Sequence, residues 1–229
     1  MIKVSPYSAE TIAVGSELLV GGRSDSNSLF ITECLAGIGI EVRFKAIVGD
    51  QESDITAVLN TACRRAGLVI MTGGLGPTVD DCTREAVAAL TGRRLVRRKE
   101  AFEGMKARLA EWGRTPTRAQ LRQALVPTGA TVLPNPVGSA PGFTLTWRGA
   151  QIVVLPGVPS EMRAMMEQSV IPLVLAQLEQ SKGLRLQPVM RMTFHTWGLP
   201  EAEIDTKLQG LIPQREPIAL GLLASPNGV

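Results

Sequence analysis

Between Thr11 and Gly92 the chain repeats one pattern three times: a short apolar run, a turn, and an amphipathic stretch closed by glycine. TIAVG (Thr11 to Gly15) leads into SNSLFITECLAGIG, where Leu29, Phe30, Cys34, Leu35 and Ile38 recur at helical spacing and Gly37 and Gly39 act as stops. EVRFKAIVGD reads as a strand ending at Asp50. It leads into SDITAVLNTACRRAG, with Ser53 or Asp54 as N-cap, a face of Ile55, Val58, Leu59 and Ala62, and Gly67 as terminator. LVIMTGG then precedes the helix TREAVAALTG. Strands alternating with helices over such short connections pair in parallel, because a parallel pair needs a crossover and the helix supplies it. The expected class is therefore α/β, three layers as α/β/α with a mostly parallel sheet.

The middle of the chain is less regular. KEAFEGMKARLAEWG (Lys99 to Gly113) and RAQLRQAL (Arg118 to Leu125) read as helices, and TVL, FTLTW and QIVVL as strands, with a hairpin around RGA. A long helix starts at Pro159, with a kink expected at Pro172. Beyond Lys182-Gly183 the pattern changes to a strand PVMRMTFHT, a helix PEAEIDTKLQGLI and a strand PIALGLLA, ending at the hairpin signal Asn227-Gly228. The expected division is a domain over 1–182 and, over 183–229, the start of a small α+β domain whose remainder is absent from this chain.

Composition removes several functions. Apolar residues make up 45% and charged residues 20%, the balance of a soluble globular protein, with no run of about 18 apolar residues to span a membrane and no signal-peptide core at the start. Aromatics at 4% leave little for base stacking, and a net charge of +3 does not mark a nucleic-acid binder. The basic cluster GRRLVRRKE reads as a solvated face, with a phosphate-backbone patch as the alternative. Three spaced cysteines (Cys34, Cys63, Cys82) and a single histidine, His195, exclude a Cys/His zinc site and fit a reducing, cytoplasmic setting. His195 itself reads as a packed or surface residue.

In an open parallel sheet, ligands collect at the carboxyl ends of the strands. Those ends here carry GSELLVGGRSDSN, VGD, TGGLGPTVDD and LPGVPSE. The glycine loop (Gly73, Gly74, Gly76) lets a ligand approach the backbone and offers N–H groups to phosphate, yet it matches neither GK[ST] nor GxGxxG. A structural turn satisfies its spacing equally well. Asp80 and Asp81 follow; they can be simple helix caps. Beside a phosphate-seeking loop they also suit a cation bridging to substrate phosphates, as Mg²⁺ is often held by one or two carboxylates plus phosphate. Glu17 and Asp50 each read as a surface acid or a helper, Asp25 as a cap, Asn27 as a cap or a ribose contact, and Glu161 as a dipole partner at its helix start.

Taken in order, GSELLVG, SDSN, VGD, TGGLGPTVDD, RQA (Arg122 to Ala124), NPVGSAPGF and LPGVPSEM resemble the CinA family of competence/damage-inducible proteins, over about residues 9 to 180. The tail HTWGLPEAEIDTKL is similar, more loosely, to the start of that family's small middle domain; its amidohydrolase domain, acting on nicotinamide mononucleotide, has no counterpart here. The resemblance implies a fold like the molybdopterin-binding domains of MoaB, MogA and gephyrin. It implies a divalent-metal-dependent ADP-ribose pyrophosphatase using Mg, Mn or Co, with K as a further ion, and a homo-oligomer with a dimer favoured. It places Asp81 and Asp50 on functionally important aspartates, with Asp80 where the molybdopterin enzymes carry Arg. Ser16 stands where many relatives read GDE, and GSAPG where GTAPG is usual. The expected roles are then catalysis by Asp50, Asp80 and Asp81, with Asp80 and Asp81 as metal ligands. Substrate contacts are expected from Gly73, Gly74, Gly76, Thr78, Glu17, Asn27, Arg122, Ser139, Gly157 and Glu161. Molybdopterin binding or adenylylation is the alternative chemistry, and a non-enzymatic interaction protein the alternative class.

Overall fold

The computed structural model describes residues 8–180, 192–209, 211 and 221–222. The chain divides into two compact units, Met1–Val189 and Met190–Val229. In the first, strands β1 (Ser8–Val14), β2 (Glu41–Val48), β3 (Leu68–Thr72), β6 (Thr131–Leu133), β7 (Gly142–Trp147) and β8 (Ala150–Leu155) form one sheet, in the order β2-β1-β3-β8-β7-β6. β2, β1, β3 and β8 pair in parallel, β7 pairs antiparallel with β8, and β6 antiparallel with β7. Strands β4 (Leu95–Arg97) and β5 (Leu125–Pro127) pair separately.

The period of two in the strands sorts their side chains onto two cores. Ile12, Val69, Met71, Ile152 and Val154 pack on one face with Ile55, Leu59, Ala62 and Cys63 of α2 (Glu52–Arg65) and Ala86 and Val87 of α3 (Thr83–Thr91). Ala9, Leu68, Ile70, Val153 and Leu155 pack on the other with Ile31 and Leu35 of α1 (Ser26–Gly37) and Met162 and Met165 of α5 (Pro159–Met165). Fully burying one such aliphatic side chain contributes about 1.5–3 kcal/mol, so a register slip in any central strand would exchange both cores at once. The three-layer α/β expectation holds, and it follows from these double-faced apolar strands. A buried Glu10 on β1 takes Arg65 Nε and Nη2 at 2.8 and 2.7 Å, fastening α2 beneath the sheet, and the same guanidinium lies over the Phe44 ring.

Local departures have physical reasons. Neither Ser53 nor Asp54 caps α2; the cap is Gln51, without a side-chain bond, and Ser53 turns its hydroxyl to Asp54. Gly67 does not end α2 in a left-handed turn; the chain leaves through extended Ala66, and Gly67 N–H bonds Ser8 O as β3 joins the sheet. In α1 Leu29 is exposed, and Ile31 with Leu35 forms the packed stripe. The stretch Arg118 to Leu125 is a 3-10 turn over Gln120–Ala124 after α4 (Lys99–Glu111). The hairpin around RGA is β7–β8, with Arg148 and Gly149 both at positive φ as a two-residue primed turn requires. The expected kink is a π turn over Met166–Val170, where Ile171 N–H reaches Met166 O and α6 (Ile171–Gln180) restarts around Pro172.

The basic cluster is only partly a solvated face. Arg93 donates to Thr128 O and Thr146 O at 3.1 and 3.0 Å, and Arg98 donates to Ala130 O, so two of its cations stitch β4 to neighbouring backbone. In the second unit α7 (Glu201–Leu208) forms as expected, but residues 192–197 are irregular rather than strand, and His195 is exposed with Trp197 as ring neighbour. The Lys182-Gly183 boundary, most of the closing strand and the Asn227-Gly228 signal lie outside the described residues. Among the described residues no helix is long and apolar enough to cross a membrane.

Candidate functional site

The chain leaves β1 toward α1 on one face and β3 toward α3 on the other, so the carboxyl ends of these neighbouring strands flank a switch point, where α/β sheets open a crevice. The backbones close up here. Gly73, at φ +100°, lies so near Val14 that a Cβ would overlap the Val14 carbonyl, and a Cβ on Gly157 would stand 3.2 Å from Gly73 Cα. Gly73 N–H bonds Leu155 O at 3.0 Å, and Asn27 Nδ2 bonds Gly157 O at 2.8 Å. The loops after β1, β3 and β8 therefore converge on one edge, and the loop after β2 joins them through Asp50. Asp50 Oδ2 accepts Ser16 N–H at 2.7 Å, and Asp50 N–H bonds Ser16 Oγ at 3.1 Å. Cys82 Sγ lies 3.6 Å from Asp50 O.

Asp81, expected as a metal ligand, is bonded within its own loop. Its Oδ1 accepts Gly76 N–H at 2.7 Å, and its Oδ2 accepts both Thr78 N–H at 2.9 Å and the Thr78 hydroxyl at 2.5 Å. The carboxylate closes its own loop. Asp80, one residue earlier, is exposed and has no hydrogen-bond or ion-pair partner among the described residues. Asp25 caps α1 by accepting Ser28 N–H at 3.0 Å, as expected.

Several of the expected cradle donors already have partners. Gly73 N–H is used by Leu155 O and Gly76 N–H by Asp81, and the Thr78 hydroxyl is likewise engaged. Within Gly73–Gly76 the amides without a partner among the described residues are those of Gly74 and Leu75, in succession. Ser139 Oγ bonds Gln123 Oε1 at 3.2 Å rather than pointing freely. Arg122 stands at the loop, with Nη2 3.0 Å from Glu85 Oε1 and Nη1 3.5 Å from Thr78 O. Glu17 folds its carboxylate over Gly15 in the 3-10 turn Ser16–Leu18.

Glu161 sits against Gly138, where any Cβ would strike its carboxyl group, and it accepts Asn135 Nδ2 at 2.7 Å. Burial pushes its carboxyl above the ordinary carboxylate range, and the Asn135 hydrogen bond opposes this. Asn27 Oδ1 is buried with no partner among the described residues.

Arg84 was not singled out by sequence reasoning. It is 1% exposed, and its Nη1 and Nη2 donate to Leu75 O and Gly76 O at 2.8 Å each. Burial draws its pKa down, against the pull of Glu85 and Asp81. The arginine follows Thr83 on what reads as an ordinary polar helix start, and only its burial against the loop carbonyls reveals it.

For a divalent cation the donor set is partial. No group of three His, Cys, Asp or Glu side chains is arranged to hold an ion among the described residues. Asp80 and the second oxygen of Asp50 have no partner among the described residues, and so few protein carboxylates would leave an ion to be completed by substrate phosphates.

The family model described as "Probable molybdopterin binding domain" matches residues 10–176. A CinA-like protein of Trichodesmium erythraeum (strain IMS101) is 38% identical over 212 residues, 91% of this chain and 48% of that protein. The chain spans about half the length of the curated relatives it matches. Among solved structures, CinA of Thermoplasma acidophilum, a protein of unknown function, superposes with a TM-score of 0.66 at 34% identity, covering 71% of this chain and 96% of that one. The molybdopterin biosynthesis enzyme MoaB of Thermus thermophilus gives 0.54 at 27% identity, covering 79% and 99%.

Proposed function

The chain belongs to the CinA-like proteins, through a domain of the MoaB/MogA molybdopterin-binding type, and from that premise we propose that it hydrolyses the pyrophosphate bond of ADP-ribose to AMP and ribose 5-phosphate in a reaction dependent on a divalent metal. The observation that carries this reading is the pair of successive unpartnered amides, Gly74 and Leu75, at the switch point of the sheet. Adjacent N–H groups suit phosphate oxygens. Asp80 and the open oxygen of Asp50 are the donors for Mg, Mn or Co, with K as a further candidate. A cation so bound supplies Lewis-acid polarisation of a phosphoryl oxygen and a more acidic water. Arg122, already at Thr78 and Glu85, offsets negative charge on the reacting phosphate. Asn27, with its free Oδ1, accepts from a ribose hydroxyl.

The test is AMP release from ADP-ribose by this chain with and without Mg²⁺, Mn²⁺ or Co²⁺, beside Asp80→Asn. Metal-dependent release is expected, reduced on the order of 10²-fold in the variant. No release under any of the three metals, from folded protein, overturns the reading.

A second reading is supported by the family match and the likeness to MoaB: binding or adenylylation of a molybdopterin at the same loops. Tight pterin binding without ADP-ribose turnover would select it. A purely interacting role loses ground, since Arg93 and Arg98 of the basic cluster are bonded to backbone carbonyls.

A further inference from the structure

Two consecutive residues at the start of α3 hold four consecutive carbonyls of the glycine loop. Thr83 Oγ1 donates to Gly73 O at 2.9 Å and Thr83 N–H to Gly74 O at 3.3 Å, while Arg84 takes Leu75 O and Gly76 O. In a planar trans peptide the C=O and the next N–H point in opposite directions, so fixing the one aims the other. Thr83 thereby turns the Gly74 and Leu75 amides away from the helix. Arg84 does the same for Gly76, whose N–H meets Asp81. The Leu75–Gly76 peptide thus lies between a guanidinium on its oxygen and a carboxylate on its nitrogen, an ion pair conducted through one peptide group. Arg84 has no carboxylate within salt-bridge distance among the described residues, and its Nε is unpartnered. Both arms of its fork go to the loop.

We propose that Arg84 is a positioning residue that acts on the site through the Leu75–Gly76 peptide, holding the loop so that the Gly74 and Leu75 amides stay presented to an anionic ligand. Its role for substrate rests on the phosphate-binding reading above; its hold on the loop does not. Lysine cannot replace it, because one ammonium lacks the planar fork that reaches two neighbouring carbonyls.

The experiment is residue-resolved amide hydrogen exchange on the chain, Arg84→Lys and Arg84→Met, with inorganic pyrophosphate titrated into each and followed at the Gly74 and Leu75 amides. Exchange at Gly76 is expected to accelerate about tenfold or more in both variants, the scale of one lost charge-assisted hydrogen bond, while amides of α2 keep their protection. Pyrophosphate is expected to bind each variant about tenfold more weakly. A purely structural arginine would lower protection across the whole unit and leave Gly76 no worse than α2; that pattern overturns the proposal, as does unchanged Gly76 exchange in a folded variant. Should Arg84→Met fail to fold, Arg84→Lys decides. Absence of ADP-ribose turnover in the unaltered chain would remove the hydrolase reading and leave the exchange result to stand or fall alone.

Discussion

The loops after β1 and β3 leave adjacent parallel strands at the same edge of the sheet, yet they are built in opposite ways. The loop after β3 has four successive carbonyls tied to α3 and two of its amides closed onto Asp81. The loop after β1 is exposed along most of Gly15 to Asp25; Leu19 is 58% and Val20 84% accessible, and Gly21 and Gly22 take positive φ with nothing near them. Its fastenings lie at its start: Gly15 N–H on Val48 O, and the exchange between Ser16 and Asp50. One wall of the candidate site is thus fixed along its length, and the other only at its first two residues. Loops with few buried contacts and exposed backbone are drawn from the low end of local stability, as ligand-admitting segments must be.

Glycine substitution separates the two most strongly. Gly73→Ala forces a Cβ into the Val14 carbonyl at φ +100° and is expected to cost about 3 kcal/mol or more. Gly21→Ala, at φ +87° in open space, is expected to cost about 1 kcal/mol. Urea unfolding of both reads the difference, and equal losses would erase the contrast.

A smaller effect comes from the β8 side, which belongs with the fixed wall. Burial raises the Glu161 carboxyl above its usual range. An acid whose folded pKa lies above its unfolded one favours the unfolded chain as pH rises between them, because the unfolded chain gives up its proton first. Its contribution is therefore greatest in acid and is lost as pH climbs through that window. Glu161→Gln is expected to flatten this part of the stability profile, seen as a smaller fall in Tm from acid to neutral pH than in the unaltered chain.

Smallest of all, Ser16→Ala removes one exposed partner of Asp50 and is expected to lower stability by less than about 1 kcal/mol. A larger loss would mean that the β1 loop is held as firmly as its neighbour.

The contrast also explains what the sequence made legible. The three layers follow from apolar runs such as LVIMT and QIVVL, whose residues are buried on both faces, and from helices whose packed stripe repeats every three to four residues. The expected location of the site follows from topology. The individual roles do not, because a carboxylate in a glycine loop has the same spelling whether it faces a cation or its own backbone. Asp81, expected to hold a metal, accepts from Gly76 and Thr78 in this structure, which its place in the sequence does not reveal. The caps of α2 were misplaced for a related reason: Ser53 and Asp54 bond one another, a local choice that spacing does not distinguish from capping. Arg84 carried no signal, since arginine early in a helix is ordinarily solvated and its burial depends on residues far along the chain.

At the centre of this edge, Val14, Gly73 and Gly157 meet as bare main chain. Side chains between packed segments act as shims: they change rotamer and absorb a small shift. Here there are none to do so. Any shift of the glycine loop would press directly on the turn after β8, whose Gly157 O holds the Asn27 amide at the head of α1. Three strands ending in backbone contact make a rigid joint that ties the glycine loop, the turn after β8 and the head of α1 together.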